Sequence, residues 1–265
     1  MEIRLDGKVA IVTGSASGIG KGIAEGLAAS GANIAIVDID EPAALNQADL
    51  IARKFGVKAL AIKTDVTDPA STEAMARTVV EKLGGIDILV NNAGIAPAHP
   101  LLDFPVDQWN KAVAINLTGY FLCARAVVTV LLAQGRGGSI INISSKTGVR
   151  GSADNSPYNA TKFGVIGLAQ GWCRELARHN IRVNSVLPGN VLQGSGIWSQ
   201  EYKAACAHKL GIKPEEVEDY YNRQVPLGRS CTLEDIANLV VFLVSDKASY
   251  ITGASMLVDG GQEMR

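Results

Sequence analysis

Tyr158 and Lys162 stand four residues apart in Tyr158-Asn159-Ala160-Thr161-Lys162, and Ser145 lies thirteen residues before the tyrosine. At helical spacing residues i and i+4 share a face, so the spacing predicts an ammonium beside a phenol. A free phenol ionises near 10. A base working at neutrality needs that value depressed by several units, each worth about 1.4 kcal/mol. The trio therefore points to proton transfer. Most Tyr-x-x-x-Lys pairs are ordinary helix surface, and this one takes its meaning from its surroundings.

Thr13-Gly14-Ser15-Ala16-Ser17-Gly18-Ile19-Gly20 follows an apolar run and opens a helical pattern. Glycines there permit a tight turn and close approach of backbone to a pyrophosphate, which then sits on the helix N-terminus. A glycine cluster alone can be a plain turn, but the strand–turn–helix context makes Gly14, Ser17, Gly18, Ile19 and Gly20 a candidate dinucleotide loop. Asp38 ends the next strand pattern, eighteen residues beyond Gly20. A carboxylate in that place would accept from the adenosine ribose hydroxyls and repel a 2′-phosphate, and no arginine adjoins it. NAD is expected rather than NADP. Asp65 and Val66 close the third strand pattern, with the aspartate placed to receive an adenine amino group. Asn92, Ala93 and Gly94 close the fourth, where small residues let the chain pass close to a ligand. Each of these could also be simple loop chemistry. A bound nicotinamide cation would join Lys162 in lowering Tyr158.

The elements that must position these groups are legible as alternation. Strands are expected over 8–13, 33–38, 59–65, 86–91, 139–145, 182–187 and 255–259, and helices over 18–30, 107–133, 158–178 and 233–244. Several strand runs are apolar throughout, which indicates a sheet covered on both faces and hence parallel. The fold class is α/β: a doubly wound, Rossmann-type, seven-stranded parallel sheet with helices on both faces, in one domain over 1–265. Residues 189–229 break the rhythm and read as a substrate lid.

The chain has 265 residues, 47% hydrophobic and 19% charged, which is enough to bury a large core. A net charge of −1 leaves no electrostatic footprint for nucleic acid or an anionic membrane. No signal peptide is evident, and no apolar run is read as reaching the roughly 18 residues that span a bilayer. A cytoplasmic protein is expected. Cys123, Cys173, Cys206 and Cys231 lack metal-ligand spacing, as do the scattered His99, His179 and His208. Neither a metal site nor a thiol nucleophile is expected. Three cysteines are read as core and Cys206 as partly exposed.

Together the T-G-x-x-x-G-I-G loop, N-N-A-G, the serine, Y-x-x-x-K and the later Pro188-Gly189 resemble the short-chain dehydrogenase/reductase family across essentially the whole chain. The resemblance implies that Tyr158 is the catalytic acid/base and that Lys162 lowers its pKa while binding the nicotinamide ribose. It implies that Ser145 orients the substrate oxygen and that Asn116 supports a proton-relay water from a kinked helix. Ser144 reads as a strand-end hydroxyl. Pro188, Gly189 and Val191 would border the nicotinamide. Gln193 stands where many members carry a threonine that bonds the carboxamide, which leaves that contact open. The reaction implied is hydride transfer between a carbinol carbon and NAD. A homotetramer packed through the helices over 107–133 and 158–178 is also implied, with Val127, Val128, Leu131, Leu168 and Trp172 either interface or core.

Stretches that most members do not share, over 188–192, 209–221, 155–158 and 247–253, look like the sorbitol-6-phosphate 2-dehydrogenases. They imply a small-molecule polyol or ketose substrate. Lys146 and Arg150 could hold a phosphate or be solvated loop charge, and Asp154 would oppose one. Asn155, Asn190 and Gln193 are amides suited to hydroxyl-rich ligands, or to capping turns. The competing readings are a 3-oxoacyl thioester reductase, which Asp38 disfavours, and a non-catalytic dinucleotide-binding scaffold, which has no need of Asn116, Ser145, Tyr158 and Lys162 together.

Overall fold

The short Val- and Ile-rich runs form seven strands: β1 (Val9–Thr13), β2 (Asn33–Asp38), β3 (Ala59–Lys63), β4 (Ile88–Asn91), β5 (Gly138–Ile143), β6 (Ile181–Pro188) and β7 (Ser255–Val258). Between them lie α1 (Gly18–Ala29), α2 (Glu41–Phe55), α3 (Pro69–Leu83), α4 (Val106–Val113), α5 (Gly119–Gln134), α6 (Ser156–Leu176), α7 (Gln200–Leu210), α8 (Val217–Asn222) and α9 (Leu233–Val244). The computed structural model describes residues 3–195 and 200–263. Residues 196–199 of the expected lid, the chain ends at 1–2 and 264–265, and the side chains of Glu201, Tyr202, Ala205 and Lys209 lie outside the described residues.

All strand pairings are parallel, in the order β3-β2-β1-β4-β5-β6-β7. The chain winds outward from β1 to β3, then returns to place β4 on the other side of β1. Loops leaving β1 and β4 therefore diverge, and the crevice between them is where such sheets receive ligands.

Successive side chains of a strand point to opposite faces. Ala10 and Val12 of β1 thus join Ile23 and Leu27 of α1 and Ile236 and Val240 of α9 in one core layer. Val9 and Ile11 join Val79 of α3 and Val127 and Leu131 of α5 in the other. Fully burying such side chains is worth about 1.5–3 kcal/mol each, so both layers hold the register of β1. Val127 and Leu131 are thereby core residues of this chain.

Several boundaries differ from the expected ones. The single helix expected over 107–133 is α4, a π-turn at Ala114–Thr118 and α5, and the widened turn places Asn116 inward with no exposure. β3 stops at Lys63 because Asp65 folds the next residues into a turn, its carboxylate accepting from Thr67 N and Oγ1. β5 stops at Ile143 because Ser145 caps a 3₁₀ turn, Lys146–Gly148. The reading that no apolar run could span a bilayer needs correction. Val106–Gln134 is long and apolar enough by composition, but half of its apolar 18-residue window is buried in the fold. Among the cysteines only Cys123 is buried. Cys173 lies at the rim of α6 against the loop at Gly253, and Cys231 stands just before the Thr232 cap of α9.

Candidate active site

The loop after β1 is packed onto the end of β4 without room for side chains. Gly14 has φ +63°, and a Cβ there would lie 2.8 Å from the Ala93 Cα. A Cβ on Gly20 would strike the Gly14 carbonyl and the Asn92 amide. Asn92 stitches the loops together, donating from Nδ2 to the carbonyls of Thr13 at 2.9 Å and Gly14 at 3.0 Å. Thr13 Oγ1 accepts from Asn92 N and Ala93 N. Ser17 precedes α1 without making a side-chain cap, so the first helical N–H groups keep no side-chain partner. Asp38 ends β2 beside this loop, its Oδ2 accepting from Ala16 N at 3.0 Å. Asp65 is exposed and Val66 is buried against Gly119. A bare-backbone cradle, an unpaired helix N-terminus and a carboxylate at the tip of β2 fit a dinucleotide.

At the next strand ends the predicted chemistry comes together. Ser145 accepts from Thr147 N at 3.2 Å through its hydroxyl, and it lines the same cavity as the Tyr158 phenol. Lys162, one turn along α6, is 3% exposed and holds its Nζ 5.6 Å from the Tyr158 ring centroid. The ammonium donates to the Ile143 carbonyl at 2.8 Å and to the Tyr120 hydroxyl at 3.4 Å. Ser144 is spent on structure, donating to the Lys162 carbonyl at 2.7 Å. Asn116 accepts from Ile95 N and donates to Ile95 O, and reaches Thr161 Oγ1 at 3.3 Å.

The electrostatics run against one expectation. Burial pushes the Tyr158 phenol up, with the Ser145 hydrogen bond pulling the other way, and burial alone brings Lys162 down to about 7. Desolvation penalises both charged forms, so the free protein favours a neutral phenol rather than the depressed one the spacing suggested. Added positive charge in the crevice is what the pair needs to work as a base.

A cavity of about 480 Å³ opens over Ser145 and Tyr158. Pro188, Gly189, Asn190 and Val191 at the end of β6 form one wall, and Lys146 and Asn155 another. Asn155 Nδ2 is bonded to Ser152 Oγ and the Ala153 carbonyl. Two polar atoms at the cavity's lining residues, Asn190 Nδ2 and Thr147 Oγ1, are buried without a partner.

Two candidates lie elsewhere. Arg150 pairs with Glu263 at 3.2 Å and lines a second cavity of about 520 Å³, which shares Lys146, Thr147 and Ser152 with the first. Gln193 is exposed and donates to Glu218 of α8 at 2.9 Å. Lys146 touches both cavities but bonds Gln262 at 2.8 Å. Burial lowers its pKa, and the charges of Glu263 and Asp259 counter that.

The wall also contains His99, Cys206, Leu210 and Tyr221, which the sequence reading had not brought to the site. His99 is carried there by a loop held at Asp154, its backbone N–H donating to the Asp154 carbonyl at 2.9 Å. Asp154 itself has φ +64°, an uncommon value for a residue with a side chain. The sequence offered a lid as the general signal for Cys206, Leu210 and Tyr221, but no periodicity to say which lid residues face inward.

Known proteins resemble this chain over nearly its whole length. Sorbitol-6-phosphate 2-dehydrogenase of Escherichia coli (strain K12) is 42% identical over 97% of this chain and 99% of its own. A 3-oxoacyl-(acyl-carrier-protein) reductase of Aquifex aeolicus is 38% identical over 98% and 99%. The crystal structure of sorbitol-6-phosphate 2-dehydrogenase from Erwinia amylovora matches with a TM-score of 0.93 and 43% identity, covering 97% of this chain and 100% of that one. A family model described as enoyl-(acyl carrier protein) reductase matches residues 14–263, a span that holds the glycine loop, Asn116, Ser145, Tyr158 and Lys162. With that span matched and its sheet superposed, the chain belongs to the short-chain dehydrogenase/reductase family, oxidoreductases that act on CH–OH groups with a nicotinamide dinucleotide.

Proposed function

We propose that this enzyme interconverts a secondary alcohol of an acyclic sugar alcohol and the corresponding ketose, with NAD as the hydride carrier. The observation that carries the substrate class is the polar lining of the cavity above Tyr158, where Ser145, Thr147, Asn155 and Asn190 bring hydroxyl and amide side chains together. A ligand with several hydroxyls suits a wall of such donors and acceptors. The likeness to a polyol dehydrogenase over nearly the whole chain supports the same class. Asp38, at the tip of β2 beside the glycine loop, supports NAD over NADP.

Bound in the crevice, the nicotinamide supplies the hydride acceptor and a positive charge. The Tyr158 phenolate takes the hydroxyl proton of the substrate. Ser145, which lines the cavity with Tyr158, donates to the oxygen as it gains charge. Lys162 holds the compensating charge one helical turn away, and Asn116 fixes the strand end that frames the pocket. The segment over 189–229 acts as the lid, contributing Cys206, Leu210 and Tyr221 to the outer wall.

A free polyol fits better than a phosphorylated one. The guanidinium of Arg150 is neutralised by Glu263 outside the catalytic cavity, and Lys146 shares its wall with Asp154. Association into a homotetramer through α5 and α6 is supported by Phe121 and Phe163, which stand exposed on those helices.

The deciding assay is NADH formation with sorbitol, galactitol and sorbitol 6-phosphate, each with NAD⁺ and NADP⁺. Turnover of a free polyol with NAD⁺ is expected. Turnover confined to the phosphate ester would put Arg150 in the site after a rearrangement from Glu263. Activity only on 3-oxoacyl thioesters would replace the polyol reading.

A further inference from the structure

The buried lysine is not held by the Tyr-x-x-x-Lys turn alone. Tyr120 stands on α5, one helical turn after Asn116, and is 1% exposed. Its hydroxyl donates to the Ile143 carbonyl at 3.0 Å, the same oxygen that accepts from Lys162 Nζ at 2.8 Å. Having given its proton to that carbonyl, the Tyr120 oxygen turns a lone pair to Lys162, 3.4 Å away. The Tyr120 ring adds a second contact, its centroid 5.3 Å from Nζ.

A lysine ammonium has three N–H groups, and burying it without acceptors is costly. Among the described residues, Tyr120 is the one side chain that accepts a hydrogen bond from Lys162. The titratable groups facing the ammonium are Tyr158 from its own helix and Tyr120 from α5, with Cys123 one turn on. β5 offers the Ile143 carbonyl and, at its end, the Ser144 and Ser145 hydroxyls. Among the described residues no carboxylate compensates the charge; burial is the cause of the fall of Lys162 to about 7. Burial also holds the Tyr120 phenol well above its ordinary value, so it stays a neutral acceptor at working pH.

We propose that Tyr120 is a positioning residue of the reaction, holding the Lys162 ammonium charged and fixed beside Tyr158 through the shared Ile143 carbonyl. The proposal rests on the oxidoreductase reading of Tyr158 and Lys162, and it adds a residue that acts through Lys162 without touching substrate.

The test is Tyr120→Phe, which keeps the ring and its packing and removes the hydroxyl. The Lys162 side chain is titrated by NMR in the free protein carrying isotope-labelled lysine, with its signal identified by its loss in Lys162→Met. The Lys162 pKa should fall by about half a unit or more, because an acceptor for the charged form is lost. The acid limb of kcat/KM for polyol oxidation should move upward in step, since a less charged lysine supports the phenolate less. A second measurement covers a variant too unstable to titrate. The stability loss from Tyr120→Phe should shrink at least twofold in a Lys162→Met background, as it does for coupled neighbours. An unmoved Lys162 titration, or an equal loss in both backgrounds, would show Tyr120 to be packing alone and overturn the proposal. The titration and the cycle need no substrate, so absence of polyol turnover would sink the substrate reading and leave this one standing.

Discussion

Asn116 and Ile95 exchange a pair of hydrogen bonds, the side-chain oxygen accepting from Ile95 N at 2.9 Å and the side-chain nitrogen donating to Ile95 O at 2.8 Å. The amide thus behaves as a strand partner for the chain leaving β4 and ties it to the π-turn. Asn116→Asp keeps the shape, removes the donor and sets an anion against a carbonyl. We expect a stability loss of about 1–3 kcal/mol in urea unfolding, with turnover reduced more than tenfold. Unchanged unfolding would show that the pair carries no energy.

Tyr158→Phe removes the hydroxyl of a side chain that lines the cavity with Ser145. The ring still packs, so the fold and dinucleotide affinity should persist while kcat falls roughly a hundredfold or more. NADH fluorescence titration beside steady-state turnover separates the two. Near-normal kcat would remove Tyr158 from the proton-transfer role.

Lys162 makes a stability prediction with a definite sign. Its pKa is about 7 in the fold, against 10.5 for an ordinary lysine. Below pH 7 both states carry the proton and the burial penalty is felt in full. Between about 7 and 10.5 the unfolded chain binds a proton that the folded chain has lost, so stability rises with pH. The free protein should gain about 2 kcal/mol between pH 7 and pH 9. Burial lowers Lys146 as well, in the same direction, so the comparison is made against Lys162→Met. That variant should lose most of the slope, be more stable at pH 7, and be inactive. A slope equal to that of the wild type would mean that Lys162 is not the group responsible.

Asp38→Ala removes the carboxylate that accepts from Ala16 N at the mouth of the glycine loop. Affinity for NAD⁺ should drop by about tenfold as the ribose acceptor is lost, while NADP⁺ gains from the removal of a like charge. Isothermal titration with both dinucleotides reads the ratio directly. A preference that stays put would assign the discrimination to another residue.

Much of this architecture could be read from local pattern. Parallel strands buried on both faces write themselves as apolar runs such as Val9–Thr13, and the proposed catalytic pair is written as one turn of a helix. Contacts between distant segments were out of reach. Arg150 meets Glu263 across 113 residues, and Gln193 meets Glu218 across 25; neither residue type announces its partner. Tyr120 looked like any aromatic in an apolar helix, because nothing local shows that β5 will bring a lysine to its hydroxyl. The direction of the Tyr158 shift failed for a related reason. Residue types give the charges near a phenol, but the cost of desolvation depends on how deeply the finished fold buries it.

Lys162 rests on a main-chain oxygen, and that has a consequence for how the protein can change over generations. A substitution at position 143 alters a side chain but cannot delete the carbonyl that receives the ammonium. The seat of the buried ammonium is thereby insulated from drift at that point. The outer wall is different, since Cys206, Leu210 and Tyr221 meet the cavity from a segment outside the sheet. Selection can rewrite that wall one residue at a time, so a lineage built on this scaffold can exchange its clientele without relearning its chemistry.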